Sequence, residues 1–344
     1  MRGIIDRSTI LDIARELQLN ASTVSRALNN HKAISEATKE RVSKTAKRLK
    51  YQHNKIASSL RLGRSNIIGV IIPSAEINFF GSVVHGIEKV ANEKNYNIII
   101  YQSNELMETE IKGVNTFLRS RVEGVLASIA KETTSFNHYR EIKKLGVPLV
   151  LFDRANDDLD VPSVVIDDYQ GAYQATAHLI SQGCKRIAHI GAEQPVAIFK
   201  HRLNGYKDAL VDHGMEVKED LLKYATVTID SGRDCMKQLL NIKQPPDAVF
   251  AVEDFTALGA IQAIKAANKK IPHDVAIIGF ANEVFGEYIT PSLSTVDQQT
   301  IKMGEEAANL FFEMLEGKSL YKEPAKKLVL KPQLIFRESS LKTL

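Results

Sequence analysis

In the stretch NASTVSRALNN, residues 20–30, Arg26 is the one long hydrogen-bond donor among small and apolar neighbours. A guanidinium presents a planar fork of N–H groups that matches guanine O6 and N7. Small residues around it, here Ala21, Ser22 and Ser25, let a helix come close enough to base edges for the fork to reach them. A second set of reactive side chains lies further along. Phe79 and Phe80, Asp153 with Arg154, Glu253 with Asp254, and Asn282 with Glu283 each come shortly after an apolar run, and Arg202 opens the helix-patterned stretch that follows RIAHIG. Phenyl rings stack on apolar faces, carboxylates accept hydroxyl protons and a guanidinium donates to oxygen. That mixture suits a polyhydroxylated small molecule.

The lone arginine needs a helix that is itself held by others. STILDIAREL reads as a first helix, with Thr9 as N-cap, Asp12 three residues on completing a capping box, and Ile10, Ile13, Ala14 and Leu17 on one face. QLN breaks it, and Asn20 is expected to cap a second helix. There Val24, Ala27 and Leu28 share the arc that packs on the first helix, and Ala21, Ser22, Ser25 and Arg26 are expected on the opposite arc. Ser35 caps a third helix, SEATKERVSKTAKRLKYQ, with Val42, Ala46 and Leu49 on its apolar side. Three short helices with a tight first break predict a helix-turn-helix module.

From about residue 65 the pattern changes. The runs IIGVIIP, NIIIYQ, VEGVLASI, PLVLFD, SVVIDD, RIAHIG, DAVFAVED and VAIIGF alternate with helix-patterned stretches such as FGSVVHGIEKVANEK and FTALGAIQAIKAAN. Such alternation predicts an α/β body of parallel sheets covered on both faces, whose ligands sit beyond the carboxyl ends of the strands. The cycle runs twice and restarts near Arg186, where RIAHIG and RLNGYKDAL echo IIGVIIP and GSVVHGIEKV.

Charge divides the chain in the same place. Residues 1–64 hold 14 Lys+Arg against 5 Asp+Glu, and the remaining 280 residues hold 31 against 36. A basic module on a mildly acidic body points to a polyanionic partner for the head. No apolar run reaches the roughly 18–20 residues of a membrane span, and the start lacks the pattern of a secretory signal. Cys184 and Cys235 are isolated, with no CxxC and no histidine at ligand spacing, so they read as reduced structural thiols in a cytoplasmic protein. His189 and His201 read as structural histidines.

The segment TILDIARELQLNASTVSRALNNHKAISEATKERV resembles the DNA-binding head of the LacI/GalR family of bacterial transcription regulators. The resemblance continues through SNIIGVIIP and, more loosely, to the C-terminus. It implies double-stranded, pseudo-palindromic operator DNA as partner, with Ala21, Ser22 and Arg26 at the base-reading positions. Thr9, Thr23, Ser25 and Asn29 in the head and Asn54 beyond it complete the expected DNA-contacting set. The family's hinge helix falls on Lys55 to Leu60; Leu60 matches the leucine that wedges into the minor groove, and Ala57 matches the small residue beside it. His53 stands where the family usually has proline, leaving the hinge entry less constrained.

For the body the resemblance implies a two-lobed fold like the periplasmic sugar-binding proteins, a homodimer, and a small sugar-like effector in the interlobe cleft. Arg202 and Asp254, or its neighbour Glu253, match effector-contacting positions, and Phe79, Phe80, Asp153 and Gln298 match more variable ones. Ala281 replaces an aspartate common in the family, and Asn282 is expected to take over its role. The domain boundaries follow: a head at 1–51, a hinge at 52–64, and a body at 65–344. Within the body the first lobe is expected at about 65–166 and 297–325, and the second at about 167–296 and 326–344.

An enzyme is disfavoured because GxGxxG, GxxxxGK, GxSxG and metal-spaced histidine pairs are missing from the sequence. No cofactor or metal is expected. An exported sugar receptor would need a signal, and an architectural DNA binder would not need a cleft. The expected function is therefore an effector-controlled transcription regulator, a repressor of carbohydrate-use genes. A regulator answering to another metabolite class, such as purines, is the alternative that the same architecture admits.

Overall fold

A computed structural model describes residues 8–51, 65–193, 196–317, 320–321 and 324–342. It divides into two compact units, Met1–Ser65 and Asn66–Leu344.

In the first unit, helices α1 (Ile10–Leu17), α2 (Ala21–Leu28) and α3 (Glu36–Arg48) close on a small core of Ile13, Ala14, Val24, Ala27, Val42 and Ala46. Asp12 accepts from the Thr9 backbone N–H at 2.8 Å and from Thr9 Oγ1 at 2.7 Å, so the capping box forms. Ser35 Oγ accepts from the Thr38 N–H at 3.3 Å and starts α3. Asn20 occupies the N-cap of α2 with extended backbone, but its side chain makes no capping bond. Its carbonyl alone begins the helix, accepting from Thr23 and Val24.

The second unit opens with β1 (Ile67–Ile72), α4 (Asn78–Glu93), β2 (Asn97–Gln102), α5 (Met107–Arg119), β3 (Gly124–Ala127), α6 (Asn137–Lys144), β4 (Leu149–Phe152) and β5 (Ser163–Ile166). The chain then crosses into α7 (Asp168–Ser181), β6 (Ile187–Ala192), α8 (Ala197–Asp212), β7 (Leu222–Ala225), α9 (Ile229–Leu240), β8 (Ala248–Ala251), α10 (Asp254–Ala266), β9 (Ala276–Ile278) and the short α11 (Phe285–Tyr288). It returns through β10 (Thr295–Asp297) to α12 (Thr300–Glu316) and β11 (Lys327–Leu330), then crosses again through β12 (Gln333–Ile335).

The first lobe's sheet has the order β11-β5-β4-β3-β1-β2, and the second lobe's has β7-β6-β8-β9. Every pairing within both sheets is parallel. In each lobe the first strand lies between the second and the third, so the echo in the sequence is a repeated topology. It also creates, in each lobe, the crevice at strand carboxyl ends where such sheets hold ligands.

One boundary differs from the expectation. Residues 327–330 pair in parallel with β5 and so extend the first lobe's sheet, instead of joining the second lobe. The crossing is made by β12, antiparallel to β10. Beyond it the tail docks on the second lobe, where the Ile277 N–H donates to the Ser339 carbonyl at 2.8 Å. The short strands β7, β10, β11 and β12 carried too little apolar run to stand out in the sequence.

Helix α12 seats the returning chain on α4 through two glycines. A Cβ on Gly304 would lie 2.0 Å from the Val83 carbonyl oxygen, and one on Gly86 would lie 2.1 Å from that of Ile301. Only glycine permits this approach of the two backbones. Cys184 and Cys235 are buried free thiols. No helix among the described residues is long and apolar enough to cross a membrane.

Candidate functional site

The head places Ser22, Arg26 and Asn29 together as an exposed stripe along α2, at the i, i+4, i+7 spacing of one helix face. Val24 and Ala27 are buried on the other side. Ala21 departs from its expected arc. It is half-buried against the head core, because it lies one turn before Val24 and two turns before Leu28 on the inner face. Thr23 and Ser25 are half-buried at the stripe's edges. Asn29 Nδ2 donates to the Ser25 carbonyl at 2.8 Å, and Thr9 Oγ1 is engaged by Asp12. The Arg26 carbonyl accepts from the His31 N–H at 3.0 Å, whereas its exposed guanidinium is hydrogen-bonded or ion-paired to no described residue and is free for an external acceptor. Asn54, Ala57 and Leu60, with His53, lie outside the described residues.

In the body, both lobes contribute to a cavity of about 550 Å³, counting the part open to solvent. The first lobe supplies Phe79 and Phe80 at the start of α4, Lys131 after β3, and Asp153 and Arg154 after β4. The second supplies Phe199 and Arg202 on α8, Val227 after β7, Glu253 and Phe255 after β8, and Ala281 and Glu283 after β9. Gln298 lies where β10 leads back to α12. Six expected residues, Phe79, Phe80, Asp153, Arg202, Glu253 and Gln298, thus share one wall system.

Arg202 is 2% exposed and heavily engaged. Its Nε donates to Asp168 Oδ1 at 2.8 Å, one terminal nitrogen donates to the Val252 carbonyl at 2.8 Å, and the other donates to Gln298 Oε1 at 3.3 Å. The guanidinium also lies 3.6 Å from the centre of the Phe280 ring. Asp168 stands just past the first crossover between the lobes, and Gln298 on the second. A second contact, from the nitrogen that meets Gln298 to Asp168 at 2.7 Å, leaves one N–H unclaimed, and Arg202 ties both crossovers to the cavity wall. Burial pushes Asp168 up to about 6, against the pull of Arg202.

On the first lobe, Arg154 donates to Glu105 Oε2 at 2.7 Å and to the Ile129 carbonyl at 3.3 Å. Asp153 accepts from Ser128 Oγ at 3.1 Å, and burial raises its pKa. Burial lowers that of Lys131, offset in part by Glu105. The loop carrying Lys131 is clamped by a fully buried carboxylate. Glu110 on α5 accepts from the Ala130 N–H at 2.7 Å and from Thr133 Oγ1 at 2.8 Å, and pairs with His138 Nε2 at 2.8 Å. On the second lobe, Glu253 caps α10, its Oε2 accepting from the Phe255 N–H at 2.9 Å. Burial, and then the adjacent Asp254, push Glu253 up to about 8.

Asp254 and Asn282 do not line the cavity. Asp254 is completely buried behind it, where Oδ1 accepts from Thr295 Oγ1 at 2.7 Å and Oδ2 from the Glu283 N–H at 2.8 Å. Asn282 is turned toward Asp297 and Arg337, at 2.9 and 3.0 Å. Both serve as scaffold because left-handed backbone at Ala281 (φ 129°) and Asn282 (φ 56°) rotates the next side chain, Glu283, into the cavity instead. Lys131, Phe199, Phe255 and Val227 were absent from the expected set. The strand-end rule reaches Lys131 and Val227 once β3 and β7 are included. Nothing in the local pattern distinguishes Phe199 from a core phenylalanine. Three wall residues, Asp153 (φ 60°), Val227 (φ 60°) and Ala281, have left-handed backbone without being glycine, a strain that clusters at functional sites. His189 is structural: its Nδ1 pairs with the Phe250 carbonyl at 2.9 Å between the stacked rings of Tyr206 and Phe250. Among the described residues no cluster of His, Cys, Asp and Glu is placed to hold a metal ion.

Comparison with known proteins agrees with this arrangement. Residues 9–54 match the family described as bacterial regulatory proteins, lacI family, and residues 65–326 match that described as periplasmic binding proteins and sugar binding domain of LacI family. The chain is 32% identical over 314 residues to catabolite control protein A of Priestia megaterium, covering 91% of this chain and 94% of that one. It is 32% identical over 326 residues to the ribose operon repressor of Halalkalibacterium halodurans, covering 94% and 96%. Among solved structures it superposes on a transcriptional regulator CelR–cellobiose complex with a TM-score of 0.72 and 29% identity, over 97% of this chain and 100% of that one. With an exposed polar stripe on the second helix of its head and a two-lobed α/β body around a ligand-sized cavity, the chain belongs to the LacI family of DNA-binding bacterial transcription regulators.

Proposed function

We propose that this regulator is a cytoplasmic homodimeric repressor of carbohydrate-use genes, and that a sugar or sugar derivative in the interlobe cavity sets its affinity for a pseudo-palindromic operator. The observation that carries the reading is the cavity itself, walled by both lobes with phenyl rings, carboxylates and guanidinium groups at strand carboxyl ends. A ligand touching both lobes has a different affinity for each lobe arrangement, and only such a difference can shift an equilibrium between them. The relatives support the ligand class: one is named for ribose and one was solved with cellobiose. Exposed Ile99 and Ile100 on edge strand β2 support a second copy as partner, since an unpaired apolar edge invites association. The protein acts by binding, without turnover.

The test is linkage. A thermal-shift screen with pentoses, hexoses, disaccharides and their phosphates identifies the ligand, because one that binds only the folded state raises the melting temperature. Ligand affinity is then titrated with and without a saturating operator duplex. Coupling of about 5–150-fold, equal in both directions, is the expected result, and its sign separates inducer from co-repressor. A protein that binds operator and sugar with no coupling between them defeats the proposal.

A further inference from the structure

We propose that Glu283 is the specificity-determining carboxylate of the cavity and that, with Arg154 on the opposite lobe, it selects an uncharged polyhydroxylated ligand over phosphorylated or acidic counterparts. The proposal rests on the reading that a sugar-like effector occupies this cavity, and it narrows that effector's chemistry.

The first observation is how much structure is spent on aiming Glu283. The turn after β9 holds two consecutive non-glycine residues in left-handed backbone, Ala281 and Asn282. It is pinned at every step: the Ala281 N–H donates to the Val296 carbonyl at 2.9 Å, the Asn282 N–H to Thr295 Oγ1 at 3.1 Å, and the Glu283 N–H to Asp254 Oδ2 at 2.8 Å. The space for Asp254 in turn requires Gly279, where a Cβ would fall 2.1 Å from Asp254 Oδ1. This scaffold turns Asn282 away and Glu283 inward.

The second observation is what Glu283 finds there. The residue is 4% exposed, yet its Oε1 has no hydrogen-bond partner among the described residues. On the first lobe's wall, Arg154 is 8% exposed and its Nε makes no hydrogen bond to a described residue, the Asp153 carboxylate standing 3.7 Å away. Buried polar atoms are normally satisfied, and leaving one unmade is costly. One acceptor and one donor, both buried and both at the cavity, are complementary to hydroxyl groups, which give a proton to the first and accept from the second.

The third observation is charge. Both guanidinium groups at the cavity already have carboxylate partners, Arg154 with Glu105 and Arg202 with Asp168, each at 2.7 Å. Lys131 Nζ lies 3.6 Å from the other Glu105 oxygen. The carboxyl groups of Asp153, Glu253 and Glu283 complete the lining, with Glu253, pushed up to about 8, mostly protonated at neutral pH. A phosphate or carboxylate on the ligand would meet these acids with the cations already shared, whereas a neutral hydroxyl meets no such opposition.

The experiment uses the full chain and its Glu283→Gln variant in thermal shift and titration calorimetry. The probes are D-glucose, D-ribose, cellobiose and further neutral sugars, each beside its phosphorylated or uronic counterpart. At least one neutral sugar is expected to stabilise the wild type, its anionic counterpart to bind at least tenfold more weakly, and Glu283→Gln to weaken the neutral sugar at least tenfold. Should the variant fail to fold, judged by its circular dichroism and melting without ligand, the neutral-against-anionic comparison in the wild type still decides. Tighter binding of the anionic partner overturns the proposal and leaves the effector reading standing. So does a neutral sugar indifferent to a folded Glu283→Gln. A panel with no binder at all overturns both.

Discussion

Arg202→Ala tests whether the cavity arginine is also a brace of the body. The substitution removes hydrogen bonds to Asp168, the Val252 carbonyl and Gln298, together with the contact over the Phe280 ring. It strands Asp168, 4% exposed, without its counter-charge. Breaking a buried ion pair from one side costs about 3–5 kcal/mol, because the remaining charge stays desolvated. The loss is pH-dependent with a definite sign. Burial raises Asp168 from 3.8 to about 6 in the folded protein, so this group's contribution to stability is full below pH 4 and is lost as pH rises through 6. Two pKa units correspond to about 3 kcal/mol. Without Arg202 the carboxyl rises further, and the loss extends toward neutral pH. Urea denaturation of wild type and variant at pH 7.5 and pH 5 should therefore show the larger difference at pH 7.5. In an Asp168→Asn background, where no charge is stranded, the cost of Arg202→Ala at pH 7.5 should fall by about 2 kcal/mol, within the range of measured pairwise couplings. A loss below about 1 kcal/mol at pH 7.5, or one of equal size at both pH values, would refute the brace.

Two further outcomes follow from the geometry. Arg26→Ala should weaken binding to the specific operator by about 1–3 kcal/mol per half-site and flatten preference at one base pair, with little change on non-specific DNA; equal losses in gel-shift titrations on both DNAs would make Arg26 a phosphate contact. Gly304→Ala inserts a Cβ 2.0 Å from the Val83 carbonyl oxygen, so α4 and α12 must separate, at a cost of about 1–3 kcal/mol read from the denaturation midpoint. An unchanged midpoint would mean the helices are not in close contact.

Much of the architecture is legible in the sequence because it is written in local patterns. The capping box at Thr9 and Asp12, the apolar arc of Val24 and Ala27, and the apolar runs of β1 to β6, β8 and β9 depend on residues a few positions apart. Strand alternation and its restart near Arg186 imply two lobes of one topology. Knowing only that ligands gather at strand carboxyl ends is enough to find Phe79, Phe80, Asp153, Arg202 and Glu253. The arc arithmetic that set Ala21 outward failed through its own spacing, since a residue three before Val24 and seven before Leu28 returns to the buried face.

What the sequence could not decide are the choices made by contacts distant along the chain. Asp254 and Glu253 are adjacent carboxylates, and no local rule says that the first is a buried scaffold bonded to Thr295 while the second faces the cavity. Asn282 turns out of the cavity and Glu283 into it because Thr295, Asp297 and Arg337, 13, 15 and 55 residues away from Asn282, hold the turn in a conformation that L-residues seldom adopt. β11 joins the first lobe because β5 offers it an unpaired edge, a fact absent from the string KLVL. Periodicity and end-of-strand position determined which elements form and where a ligand could sit. Which carboxylate faces the cavity was decided only by the tertiary structure, since the direction of a side chain after a left-handed turn depends on the partners that fix the backbone.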